Sequence, residues 1–141
     1  FCGGESIEDC RNKMDELATF KVGTILDYSI EGKTTDEDFE QTVEIIIQTI
    51  QEGINNKNIP FAVFKVTGIG SINLLEKASD QNCILNESQI LELEGIKNRI
   101  ERICAAAHTA MIPVFIDAEE SWIQAIIDTW ALEMMQKYNL V

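Results

Sequence analysis

Three apolar runs in this chain each stop at a charged residue. Asp27 follows Val22-Gly23-Thr24-Ile25-Leu26, Lys65 follows Phe61-Ala62-Val63-Phe64, and Asp117 follows Ile112-Pro113-Val114-Phe115-Ile116. Two carboxylates and an ammonium at strand ends could grip a zwitterion, the lysine taking its carboxylate and an acid facing its amine. They could equally close a structural ion pair, because opposite charges about 4 Å apart attract by roughly 4 kcal/mol at an effective dielectric of 20. Spacing alone leaves both open. Glu119 and Glu120 follow Asp117 within three positions. They could cap the next helix, where acids suit the positive end of the dipole, or join the acids at the strand end.

Elements must exist to bring these groups together. Apolar runs of this kind read as strands buried on both faces, as in parallel sheets covered by helices. Three such strands are expected, at 22–28, 61–66 and about 110–116. Between them the apolar spacing is helical. Ser6-Ile7-Glu8-Asp9 has the form of a capping box opening a helix over 6–19. Phe39, Val43, Ile46, Ile47, Ile50 and Ile54 make one stripe of a helix over 35–53. A short helix is expected from Ser71, then a polar loop over 79–86, a long amphipathic helix from Glu87 whose apolar pattern runs to Ala107, and a last helix over 121–138. Strands alternating with helices predict a parallel sheet with right-handed crossovers, either an open doubly wound sheet or part of an eight-stranded β/α barrel. In a barrel, Asp27, Lys65 and Asp117 would face one another at the carboxyl ends of adjacent strands, where such folds place their chemistry.

Composition narrows the classes. A chain of 141 residues is one domain's worth or a piece of a larger one. The net charge of -13 argues against a nucleic-acid surface, since phosphate backbones need dense Lys and Arg. No apolar run approaches the roughly 20 residues that span a bilayer. Cys2, Cys10, Cys83 and Cys104 are too dispersed for a zinc site or a redox pair, and reduced thiols are expected. Glu119 and Glu120 have no nearby histidine to complete a metal site. His108, Trp122 and Trp130 read as packing or capping groups, Asp36-Glu37-Asp38 as a helix N-terminus, and Thr67-Gly68-Ile69-Gly70 as a plain loop, short of a phosphate-binding pattern.

Phe1–Ser6, Ile25–Gly32, Phe64–Gly68 and Ile116–Glu120 are four motifs that, in this order, resemble those of the proline dehydrogenase family, in its monofunctional form. Phe1-Cys2-Gly3-Gly4-Glu5-Ser6 resembles the opening ahead of that family's barrel strands, and Ile25-Leu26-Asp27-Tyr28-Ser29-Ile30-Glu31-Gly32 its first-strand motif. Phe64-Lys65-Val66-Thr67-Gly68 resembles the strand bearing its lysine, and Ile116-Asp117-Ala118-Glu119-Glu120 its I-D-A-E-E signature. The resemblance implies α/β architecture, as a portion of a distorted (β/α)8 TIM-like barrel with about three parallel strands. It implies FAD as cofactor, oxidation of L-proline to pyrroline-5-carboxylate in proline catabolism, and a quinone as electron acceptor. Catalytic roles fall by this resemblance on Lys65 and Asp117. Lys65 would bind the proline carboxylate, and Asp117 would shape the pocket beside the substrate ring and hold neighbouring basic groups. Asp27 would organise the same mouth, and Glu31 would pair with an arginine to close the site.

The resemblance assigns no cofactor-binding residue within these 141 positions, because the family's flavin-contacting strands lie further along its barrel. Residues 1–141 are therefore expected to be the N-terminal portion of a proline dehydrogenase barrel, not assured of activity alone. Expected partners are L-proline and a quinone, with no nucleic acid and no metal. Expected locations are the cytoplasm or the periphery of the inner membrane in a bacterium, and the mitochondrion in a eukaryote. The alternative is a receiver-type signalling module with a strand-end Asp as phosphoacceptor. Its lysine belongs on the last strand, whereas Lys65 follows the second apolar run. A third reading is a barrel piece that serves only in binding or assembly.

Overall fold

The structure is a computed structural model, and it describes residues 3, 4, 6–28 and 34–139. Glu31, with Phe1, Cys2 and Glu5 of the opening motif and the end of the first-strand motif from Ser29 on, lies outside that set.

Helix α1 (Ile7–Thr19) opens where the Ser6 hydroxyl accepts from the Asp9 amide, as the sequence pattern requires. Helix α2 (Asp36–Glu52) begins in the same way, Thr35 accepting from Asp38, with three acids in the first turn at the positive end of the dipole. Its stripe of Phe39, Val43, Ile46 and Ile50 is buried. Strand β1 (Ala62–Phe64) leads into a 3-10 turn at Val66–Gly68, then helix α3 (Ile72–Ser79). Helix α4 (Glu87–Ala110) starts with a reciprocal capping box between Asn86 and Gln89, both bonds at 3.0 Å. It ends at Met111, whose φ of 58° lies in the left-handed region. Strand β2 (Val114–Ile116) and helix α5 (Gln124–Tyr138) complete the described order.

Strands β1 and β2 pair in parallel, Ala62 opposite Val114, Val63 opposite Phe115 and Phe64 opposite Ile116. Alternation along a strand then sends Ala62 and Phe64, with Val114 and Ile116, toward the helices. There they join a core built from α2, α3, α4 and α5, with Val43, Ile50, Leu75, Ile96, Ile100, Ile103 and Ile127 among its fully buried members. Burying a Leu, Ile or Phe side chain contributes about 1.5–3 kcal/mol, so this one-sided core carries the fold.

Two expectations change. Among the described residues the sheet has two strands, not about three, because 22–28 forms none. Thr24 does reach toward β1, its amide and hydroxyl both donating to the Asn58 carbonyl at 2.7 and 3.0 Å. The adjoining rung is blocked, since Gly23 passes against Pro60, which has no N–H to give a ladder. Val22 and Ile25 are also exposed, so little apolar burial holds the segment in register. Strand β2, in turn, is not buried on both faces, since Phe115 is 48% exposed. Helices cover one side of the sheet only, and Phe115 lies on the other, stacked on Phe61 with ring centroids 4.9 Å apart.

Candidate functional site

The face turned away from the helices carries an apolar stretch and then a charged edge. Phe61, Val63 and Phe115 form its apolar part, and Lys65 and Asp117 follow at its carboxyl end. Lys65 keeps extended backbone angles (φ -103°, ψ 137°), so the alternation that puts Phe64 in the core puts Lys65 on the opposite face. The Asp117 amide donates to the Phe64 carbonyl at 3.0 Å, the last backbone rung. One step on, the Lys65 ammonium donates to Asp117 Oδ2. The pair is expected from the sequence as one of two alternatives, and the parallel register is what makes it.

The pair is part-exposed, its side chains 38% and 42% accessible. Ion pairs this wet contribute about 0.2–1 kcal/mol, so an incoming carboxylate can replace Asp117 on the lysine at small cost. The hydrogen bond to Asp117 is the main reason the Lys65 ammonium titrates above its ordinary range. Partial burial opposes that shift, and the charges of Asp117, Asp27 and Glu119 add to it. Lys65 is therefore a cation across the physiological range, with three carboxylates around it. That field suits a ligand bearing both a carboxylate and an ammonium.

Asp27 reaches this neighbourhood from a segment with no strand. It is exposed, and with Leu26 and Tyr28 it also lines a cavity of about 450 Å3 against Ile7 and Cys10 of α1 and Thr49 of α2. The structure thus brings Asp27, Lys65 and Asp117 toward one edge, while Glu31 lies outside the described residues.

Glu119 departs from the helix-cap reading. Helix α5 begins at Gln124 rather than at Ser121, after a turn, and has no side-chain cap at its N-terminus. Glu119 faces the other way: Oε1 accepts the Thr67 amide at 3.1 Å and Oε2 accepts the Thr67 hydroxyl. The Thr67–Gly70 stretch is consequently no plain loop, since it starts inside the 3-10 turn Val66–Gly68, which a carboxylate from the neighbouring strand end holds at Thr67. A visible signal existed, because Thr67 and Glu119 keep the same offset as Lys65 and Asp117.

Sequence reasoning also missed Arg99. It is 5% exposed on α4, and its guanidinium bonds Glu40 at 2.7 Å, Asp36, and the Ile69 carbonyl at 3.3 Å. Asp36 is thus more than a helix N-terminus. Trp130 packs in the core as expected, whereas Trp122 is 56% exposed. His108 sits against the Tyr138 ring, centroids 5.5 Å apart.

Among the described residues, no group of three or more His, Cys, Asp or Glu side chains is arranged to hold a metal ion. None of the described helices is long and apolar enough to cross a membrane.

Against this geometry, a family profile described as Proline dehydrogenase matches residues 10–140. The carbapenem antibiotics biosynthesis protein CarD of Pectobacterium carotovorum subsp. carotovorum is 27% identical over 139 residues, covering 99% of this chain and 37% of that protein. Proline dehydrogenase 1, mitochondrial, of Dictyostelium discoideum is 27% identical over 175 residues, covering 99% of this chain and 31% of that protein. The chain spans about a third of the length of these relatives.

Proposed function

Since the chain belongs to the proline dehydrogenase family, we propose that the protein it forms oxidises L-proline to pyrroline-5-carboxylate and that Lys65 binds the proline carboxylate. The observation that carries this reading is the part-exposed Lys65–Asp117 pair at the carboxyl end of two parallel strands. A lysine already holding a carboxylate can exchange it for that of the substrate. Asp117, released, lies beside the substrate ring and, with Asp27, faces the secondary amine. The chain's own part in the reaction is binding and orientation, while the two-electron acceptor is FAD.

The turn after β1 has no free donors for the flavin's phosphates. The Thr67 amide and hydroxyl are taken by Glu119, and the Gly68 and Ile69 amides by the Lys65 and Val66 carbonyls. No residue here is assigned to FAD. This reading places residues 1–141 as the N-terminal portion of a β/α barrel, with β1 and β2 among its strands and the exposed Phe61–Phe115 face turned inward. A quinone as electron acceptor, and with it association at a membrane surface, belongs to the same proposal.

The experiment is an anaerobic addition of L-proline to the complete gene product. Bleaching of a flavin absorbance band is expected, and it should need far more proline in Lys65→Met. A flavoprotein that proline leaves unchanged would overturn the reading. Phosphoryl transfer to Asp27 or Asp117 from a small phosphodonor would favour the receiver-type alternative, which nothing in the site's geometry supports.

A further inference from the structure

Backbone pairing between the two strands ends where the Asp117 amide meets the Phe64 carbonyl. Beyond it the register continues in side chains, Lys65 on Asp117 and Thr67 on Glu119, each pair separated by 52 residues, like the rungs before them. The two pairs are built differently. Lys65 is a flexible side chain with one contact, whereas Glu119 grips Thr67 at two points, the amide and the hydroxyl. Two bonds to one carboxylate fix orientation as well as distance. The turn that Glu119 holds begins one residue after Lys65, and the Gly68 amide donates back to the Lys65 carbonyl at 3.1 Å. Glu119 is itself anchored, its amide donating to Gln124 Oε1 at 2.8 Å at the start of α5.

We infer that Glu119 is a positioning residue: its two-point hold on Thr67 locks the turn after β1 onto the segment after β2, and so sets the Lys65 ammonium over the sheet edge for a carboxylate ligand. Its bearing on catalysis rests on the reading of Lys65 as the proline-carboxylate ligand. Without the clamp the 3-10 turn keeps its short-range bonds but loses its link to the neighbouring strand end, and Lys65 swings with it. Misplacement of a binding group by about 1 Å can cost up to about a hundredfold in rate. For a group that only binds, the loss falls on KM.

The test uses the complete gene product and four variants. Glu119→Ala removes both contacts, Thr67→Val only the hydroxyl contact, and Thr67→Ser keeps both. Glu119→Gln keeps the shape and two-point contact while removing the charge. The expected result is a KM for L-proline raised about tenfold or more in Glu119→Ala, less in Thr67→Val, and close to wild type in Thr67→Ser and Glu119→Gln, with kcat changed less than about twofold throughout. Two further readouts need no proline turnover. The Thr67 amide should exchange slowly in the wild type and at least about tenfold faster in Glu119→Ala. Acetylation of Lys65, followed by mass spectrometry, should speed up in Glu119→Ala and Thr67→Val but not in Glu119→Gln.

A Glu119→Gln protein as impaired as Glu119→Ala would overturn the inference, because charge and not the clamp would then matter. A rapidly exchanging Thr67 amide in the wild type would overturn it without any variant. A wild type that does not oxidise proline would overturn the functional reading instead. The exchange and acetylation results would still decide whether Glu119 positions Lys65.

Discussion

Lys65 and Asp117 meet across the first rung beyond the paired strands, 52 residues apart in sequence and joined through a part-exposed hydrogen-bonded ion pair. The contact exists because β1 and β2 run parallel with that same offset at every paired position.

A site pair and a stabilising pair behave differently on mutation. Lys65→Met should lower kcat/KM for L-proline by roughly 10- to 150-fold, the equivalent of one charge-assisted hydrogen bond of about 1.5–3 kcal/mol. Unfolding free energy should change by about 1 kcal/mol or less, because exposed pairs contribute little. Steady-state kinetics beside a urea melt checks this, and unchanged kinetics with a large stability loss would make the pair structural.

The pH dependence has a definite sign. Lys65 titrates above its usual value, chiefly through its bond to Asp117. Stability from the pair is therefore fully present below the unfolded lysine value of about 10.4 and is lost only as pH rises through the higher folded value. Between pH 6 and 9 the effect of Lys65→Met on the melting temperature should be constant.

Acid acts elsewhere. Glu40 titrates below its usual value, mainly because Arg102 donates to it, with Arg99 adding to the effect against a burial penalty. A depressed carboxylate contributes stability above its unfolded value of about 4.3, and this is lost as pH falls through the folded value. Glu40→Gln should cost about 1–3 kcal/mol at pH 7, since a neutral amide with a single acceptor oxygen replaces the carboxylate shared by the buried Arg99 and Arg102. Urea melts of the two proteins should converge toward pH 3.

Gly70 marks where the site loop presses on α4. A Cβ there would lie 2.6 Å from Ile96 Cδ1, and Ile96 is fully buried. Gly70→Ala should destabilise by about 1–3 kcal/mol, the usual cost of overpacking. Ile96 Cγ1 and Cγ2 lie at 2.7 and 3.0 Å from the same point, so Ile96→Ala, which removes all three atoms, should couple favourably with Gly70→Ala in a double-mutant cycle.

Burial pushes the Cys104 thiol up to about 11, with the Glu101 charge adding to the shift. At pH 8 it should resist iodoacetamide in the native protein and react only on unfolding, while the half-buried Cys10 and Cys83 react sooner. Mass spectrometry of timed samples would show the order.

Local rules made much of this protein legible in its sequence. Ser6 three residues before Asp9, Thr35 before three acids, and the stripe from Phe39 to Ile50 each specify a helix through neighbours within a turn or two, and each appears as expected. The apolar runs ending in Lys65 and Asp117 likewise announced their strands and the charges they carry. Tertiary structure decided what those local signals could not. The stretch before Asp27 looks like a third strand, but pairing depends on a partner's donors, and Pro60 offers none where Gly23 passes. Nothing in the sequence near Phe115 says that helices cover only one face of its sheet. Arg99 is buried because carboxylates from α2, Asp36 and Glu40, reach across to it. Glu119 reads locally as a cap for the helix that follows, and becomes a clamp only because parallel register sets it beside Thr67. The spacing of residues along a chain specifies the elements, and contacts between distant elements depend on register and coverage, which exist only after the chain has packed.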